Sequence, residues 1–386
     1  MAAMSFSKEA VEVKQMDSFE KLDRAIALKP TPEIPVYPHI ITFAGRCAGI
    51  TQAELFSSNK AWLAACDKTF AKIGKPDVVF PLNPFDTAYS EAMKVKLPGR
   101  DLGPDEPFQF VEEEIMRASD YDVILEKGWN AWNTEFMKAI QSPPWHGWVG
   151  SFKVLWGFIK AGMNTGKNIK HWQQQGMPVM FHTGVAPPFD IFSLSRSLRP
   201  FYRDLFNMPE KVKKAVDVGT EFMIKLGIAN AKRAKGNRVA IFAMRSSASF
   251  ISPKLFDEIS FPSIKRMVEG YRAAGLISVL HCDGNWDLMI PRFKELPRAS
   301  CIVELDGTTN IRKAREVLAD YLCIKGDVRA SMLTLGKKEE VEAYCRELIK
   351  FMGHDGGFIL GSGCEVPINA KPENVAALIA AAHVAA

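Results

Sequence analysis

Leu276-Ile277-Ser278-Val279-Leu280-His281-Cys282-Asp283-Gly284-Asn285 is the stretch on which the reading of this chain turns. A short, β-branched apolar run stops abruptly at a histidine, a cysteine, an aspartate and a glycine. Buried strands of parallel sheets read as continuous apolar runs, and folds built on them place chemistry at the C-terminal strand ends. Side chains alternate along a strand, so His281 and Asp283 point to one side and Cys282 to the other. The pair could share one ion. Two further donors follow later apolar runs: Glu304 in Cys301-Ile302-Val303-Glu304-Leu305-Asp306, and Cys364 in Ile359-Leu360-Gly361-Ser362-Gly363-Cys364-Glu365.

Working outward, eight such runs recur, at 37–43, 77–80, 178–182, 238–243, 276–281, 301–305, 321–325 and 357–360. Stretches of helical period separate most of them, such as 263–274 (SIKRMVEGYRAA) and 338–352 (KEEVEAYCRELIKFM). Strands alternating with helices pair in parallel through right-handed crossovers. Eight units of this kind predict a closed (β/α)8 TIM barrel, an α/β fold, in a single domain. An open doubly wound sheet lacks support, because no G-x-G-x-x-G follows a strand. Residues 1–35 are charged and helical, then punctuated by Pro30, Pro32, Pro35 and Pro38, and read as an N-terminal arm.

One interval is too long for a plain barrel. Between the second run and the third, the segment 98–175 reads as a helical insertion. The interval holds Trp129, Trp132, Trp145, Trp148, Trp156 and Trp172, six of the eight tryptophans. One reading is a small helical core of its own. The other is a lid or docking surface at the barrel mouth, since long βα-loops build barrel sites. The stretch 161–168 (AGMNTGKN) resembles a phosphate loop only faintly, with its first glycine out of register and its final Ser/Thr missing. His354-Asp355-Gly356-Gly357 reads as a turn.

Composition narrows the function. The 386 residues are 47% apolar and 24% charged with a net charge of +5, enough for a large core and without the Lys/Arg block of a nucleic-acid or membrane footprint. Seven cysteines with no C-x-x-C pair argue against a disulfide framework. The N-terminus lacks the apolar stretch of a signal peptide, and no run approaches the ~18 apolar residues of a membrane span. A soluble, reduced, cytoplasmic protein is expected, and a homodimer stays open as its assembly.

The residue at or just past each run is polar. Arg46, Asp86, His182 and Arg245 follow the first four. His281 with Asp283, Glu304, Lys325 with Asp327, and Cys364 complete a ring that a barrel would gather on one face. Arg46, Asp86, His182, Arg245 and Asp327 are the candidate substrate-binding residues. His281, Asp283, Glu304 and Cys364 are the candidate catalytic and metal-binding set, with donor types that suit Zn²⁺ better than Mg²⁺ or Ca²⁺. The alternatives are concrete: Cys364 as packing, His281 as a hydrogen-bonded core histidine, Glu304 as the partner of Arg245 or Lys325.

Several of these motifs carry a resemblance. The segment 178–386 resembles the uroporphyrinogen decarboxylase superfamily, and more closely its corrinoid (cobalamin)-dependent methyltransferase branch. The likeness runs through Pro178-Val179-Met180, Ala186-Pro187-Pro188-Phe189-Asp190 and 199–212 (RPFYRDLFNMPEKV). It continues in His281-Cys282-Asp283-Gly284-Asn285, Lys325-Gly326-Asp327-Val328, Gly356-Gly357-Phe358-Ile359-Leu360, Cys364-Glu365-Val366-Pro367 and Pro372-Glu373-Asn374-Val375. It implies zinc held by a His-x-Cys pair and a distant cysteine. His281 and Cys364 match those positions, and Asp283 stands where the branch's thiol methyltransferases have cysteine. An oxygen-richer set makes a harder acid, suited to activating the oxygen of a substrate such as a methoxylated compound, so that a methyl group passes to or from cobalt. With no D-x-H-x-x-G signature in the chain, the corrinoid would be carried by a partner protein. The decarboxylase proper fits less well. Its first strand carries an Arg- and Gln-rich signature, against Thr42-Phe43-Ala44-Gly45-Arg46-Cys47 here, although Arg46 could take a carboxylate and Asp86 answer to a pyrrole-binding aspartate. A metal-free decarboxylase and a non-catalytic barrel are the alternatives.

Overall fold

The computed structural model describes residues 16–82, 95–139, 147–353 and 355–383. Seven parallel strands form one curled sheet: β1 (Val36–His39), β4 (Thr183–Val185), β5 (Arg238–Ala243), β6 (Ile277–Cys282), β7 (Cys301–Leu305), β8 (Cys323–Val328) and β9 (Phe358–Glu365), in the order β1-β9-β8-β7-β6-β5-β4. A separate two-stranded ribbon, β2 (Val95–Lys96) with β3 (Gln109–Phe110), lies in the insertion. The apolar run at 77–80 occupies the gap between β1 and β4. Val78 N–H donates to Val36 O at 3.0 Å, Val79 N–H to Pro178 O at 3.1 Å, and Met180 N–H to Val79 O at 2.9 Å. This run therefore fills the eighth strand position and closes the ring through an isolated bridge, Val79 with Val179, and not through a full ladder. Pro76, Pro81 and Pro178 supply no N–H, which keeps the pairing that short.

The ring is an α/β barrel, with its helices outside: α1 (Ser18–Ile26), α2 (Phe43–Ala48), α3 (Gln52–Ser57), α4 (Asn59–Ile73), α5 (Asp120–Lys127), α6 (Trp129–Ala139), α7 (Gly147–Gln174), α8 (Pro188–Arg196), α9 (Leu198–Asn207), α10 (Pro209–Arg233), α11 (Phe261–Ala273), α12 (Ile311–Leu318), α13 (Ala330–Leu335), α14 (Lys338–Met352) and α15 (Pro372–Ala381). β6 and β7 are buried along nearly their whole length, as strands covered on both faces must be. α1 closes the N-terminal end of the barrel. Gly357 N–H, just ahead of β9, donates to Ala25 O at 3.1 Å, and buried Asp77 takes Val36 N–H at 3.0 Å, Ser18 Oγ at 2.9 Å and Lys21 Nζ at 3.2 Å. No helix among the described residues is long and apolar enough to cross a membrane.

In the insertion, Trp129 and Trp132 are buried away from the barrel lumen. Trp129 packs on Trp132 (ring centroids 4.8 Å apart), on Phe192 of α8 and on Phe222 of α10. Gly219 leaves room for it, because a Cβ there would fall 2.3 Å from the indole. These two tryptophans build a helical core on the outer layer. Trp156 is exposed on α7, while Trp145 and the side chain of Trp148 lie outside the described residues. Trp129→Ala should cost ~3–5 kcal/mol as a large buried truncation, read by urea denaturation, and leave any metal binding unchanged.

Behind β4, the Asp190 carboxylate takes Arg245 N–H at 2.6 Å and Ser246 Oγ at 2.7 Å. Complete burial outweighs these bonds and pushes its carboxyl up to about 6. A folded value above the unfolded one means a contribution to stability that is full below about pH 4 and lost as pH rises through the folded value. Relative to Asp190→Asn, wild-type stability should fall by roughly 3 kcal/mol across that window, measured as the difference between two denaturation series. A flat difference would contradict it.

Candidate metal centre

One row of the sheet register builds the centre. Phe242 of β5, His281 of β6, Glu304 of β7 and Lys325 of β8 are successive partners, so their side chains share a level of the barrel. Asp283 follows β6, and Cys364 sits near the C-terminal end of β9. His281 Nε2 lies 3.3 Å from Asp283 Oδ1 and 3.7 Å from Cys364 Sγ. All three ligand atoms fall within 4.8 Å of one another. A tetrahedral zinc site with bonds of ~2.0–2.3 Å has ligand–ligand edges of about 3.3–3.6 Å. The donor set fits a metal ion in type and in spacing.

Glu304 stands elsewhere. Its Oε2 meets His281 Nδ1 at 2.7 Å, on the ring nitrogen opposite the cluster. A carboxylate in that place fixes the tautomer and leaves Nε2 as the free donor, the usual arrangement behind a metal-bound histidine. Burial alone would lower the His281 pKa. Its hydrogen bonds to Asp283, Cys364 and Glu304 outweigh that and hold it well above the usual histidine value. The Glu304 carboxyl, which burial would raise, is held low by the Lys325 ammonium and by His281.

The turn that presents Asp283 is fixed by its sequence. Gly284 adopts φ +83°, and a Cβ there would fall 2.5 Å from Ser247 Oγ. Its N–H donates to Asp306 Oδ2 at 2.7 Å, and Trp286 Nε1–H returns to Asp283 O at 2.9 Å.

The expected substrate-binding residues that lie among the described ones do not converge on this cluster. His182 is level with the start of β5, its N–H donating to Arg238 O at 2.9 Å, because the third strand runs on to Val185. Arg245 is tied to Glu112 Oε2 of the insertion at 2.8 Å and to Ser193 O at 3.0 Å. Asp327 turns to the outer layer, where Tyr344 OH of α14 donates to it at 2.6 Å. Arg46 is exposed on α2. Asp86 lies outside the described residues.

Two lumen residues were not among the candidates, Tyr37 and His39 of β1; Lys325, a member of the expected ring, stands in the register row beside Glu304. His39 stacks on Phe80 with ring centroids 4.3 Å apart and meets His281 edge-on at 5.9 Å. Phe80 continues to Phe181, Phe181 to Phe242, and Phe242 back to His281, a closed collar of five rings. Tyr37 OH, both His39 ring nitrogens and Glu304 Oε1 are buried without a hydrogen-bond partner among the described residues. Their signal in the sequence was a polar side chain inside an otherwise apolar run.

Fold and cluster together define the class, an α/β barrel with a candidate metal centre at the C-terminal ends of its strands. The family model for uroporphyrinogen decarboxylase (URO-D) matches residues 176–385, and the chain belongs to that family. Among curated relatives, it is 28% identical over 201 residues to uroporphyrinogen decarboxylase 2, chloroplastic, of Arabidopsis thaliana, covering 50% of this chain and 49% of that one. It is 28% identical over 127 residues to the uroporphyrinogen decarboxylase of Anaeromyxobacter dehalogenans, covering 33% and 35%. The chain thus spans about half of the first relative's length and about a third of the second's. A solved methyltransferase from Methanosarcina mazei superposes with a TM-score of 0.69 over 95% of this chain and 98% of that one, at 16% identity. That likeness is one of fold.

Proposed function

We propose that this protein is a zinc-dependent methyltransferase that moves a methyl group between a small, uncharged, oxygen-bearing substrate and the cobalt of a corrinoid carried by a separate protein. The observation that carries the reading is the convergence of His281 Nε2, Asp283 Oδ1 and Cys364 Sγ within 4.8 Å of one another. Three protein donors would leave a fourth position, as catalytic rather than structural zinc requires. When bound, the metal supplies Lewis acidity at the substrate's oxygen. The chain's own residues do the rest. His281, locked by Glu304, Asp283 and Cys364 would hold the centre, and the aromatic collar excludes water beneath it.

Charge selects the substrate class. Asp283 and a Cys364 thiolate would offset a divalent cation, and Lys325 offsets Glu304, which leaves no surplus cation in the cluster among the described residues. The arginines nearest the strands are committed: Arg238 to Val179 O and Met180 O, Arg245 to Glu112, and Arg329 to Gly307 O. A methoxylated aromatic suits such a site better than a polycarboxylate. The test is the metal content of the purified protein, followed by transfer from 2-methoxyphenol to cob(I)alamin. Stoichiometric zinc and zinc-dependent methylcobalamin formation are expected; a metal-free protein would end this reading. The curated relatives favour a second one, metal-free decarboxylation of an acidic tetrapyrrole, which the same preparation would reveal by carbon dioxide release.

A further inference from the structure

His281 is held by Glu304, and the backbone just before Cys364 is held by a buried lysine. Lys325 Nζ donates to Ser362 O at 2.6 Å and lies 3.4 Å from Gly363 O, the two carbonyls preceding Cys364. The ammonium also sits 5.0 Å over the Tyr37 ring, and the residue is fully buried. The glycines of Gly361-Ser362-Gly363-Cys364 make this approach feasible. A Cβ on Gly361 would fall 2.6 Å from Lys325 Cε, and one on Gly363 would fall 2.2 Å from Asp306 O. Ser362 completes the clamp, its Oγ taking His39 N–H at 2.9 Å and donating to Cys364 O at 2.7 Å. Burying an ammonium is costly, and methionine would fill the same channel without that cost.

We infer that Lys325 is a positioning residue for the metal centre: it fixes the Ser362 and Gly363 carbonyls and thereby aims Cys364 Sγ at the ion, as Glu304 aims His281. The inference rests on the metal reading above. Cobalt(II) is the probe, because its sulfur-to-metal charge-transfer band reports Cys364 alone while its d–d bands report the centre as a whole. Lys325→Met by itself leaves Glu304 without its cation and could fail to fold. The decisive comparison is therefore Glu304→Gln against the charge-balanced Glu304→Gln/Lys325→Met. The first should keep the charge-transfer band. The second should keep its d–d bands, lose at least half of the charge-transfer intensity and bind Co²⁺ about tenfold more weakly, the scale of losing a residue that orients a ligand. An undiminished charge-transfer band in the double variant overturns the inference, and so does joint loss of both band sets, which marks a merely structural role. A wild-type protein with no cobalt–sulfur band would instead remove the metal reading itself.

Discussion

Cys364→Ser should cost more zinc affinity than the loss of a residue that only orients a ligand, well beyond the roughly 10–100-fold such losses bring. A metal binds the thiolate of cysteine, and a serine hydroxyl does not ionise to replace it near neutral pH. The other two donors, His281 and Asp283, would remain 3.3 Å apart and hold the ion only weakly. The fold should survive, since Cys364 is half-exposed at the end of β9 and outside the packed core. Calorimetric zinc titration, with thermal melts of the metal-free proteins, separates the two effects. Unchanged affinity would reduce Cys364 to a packing residue and dissolve the centre.

The strands were legible because a parallel sheet covered on both faces leaves a continuous apolar run, and β5, β6, β7 and β9 lie where such runs occur. The three residues of the candidate cluster, His281, Asp283 and Cys364, were legible for the same reason, as polar residues at the point where a run ends. The rule failed at His182, since Thr183-Gly184-Val185 looks like a turn yet continues the strand, which leaves the histidine low in the barrel. It also failed at Asp327 and Arg245: the end of a run places the backbone but not the direction of a side chain, and their partners, Tyr344 and Glu112, lie on other elements, 17 and 133 residues away. Glu304 was found as a donor type, but which nitrogen of His281 it faces depends on the register between β6 and β7. Tyr37 and His39 were hidden because a polar residue within an apolar run reads as an imperfection, whereas Lys325 was legible as a member of the ring and as a partner for Glu304. In a barrel, the inward half of each run faces a private interior, and the lone lysine in Cys323-Ile324-Lys325 is the clue that such an interior is polar.

Glu304→Gln tests whether that interior carries balanced charge. The substitution keeps an oxygen able to accept from His281 Nδ1–H but removes the negative charge beside a fully buried ammonium. Removing one member of a buried charge pair typically costs ~3–5 kcal/mol. The lower end applies here, because the Asp283 and Asp306 carboxylates also act on Lys325. The metal-free variant should therefore be less stable by about 3 kcal/mol in urea denaturation. Zinc affinity should fall by roughly 10–100-fold, as when an orienting carboxylate is lost, and clearly less than for Cys364→Ser. Adding Lys325→Met removes the stranded cation and should return most of the stability, a positive coupling between neighbours in one register row. Zinc affinity should not return with it, because both residues that aim the ligands are then gone. If Glu304→Gln instead abolished zinc binding as completely as Cys364→Ser, Glu304 would be a ligand in its own right, swung from Nδ1 onto the ion. If it changed neither stability nor affinity, the buried charges would be independent of one another, and the metal centre would owe nothing to the row beneath it.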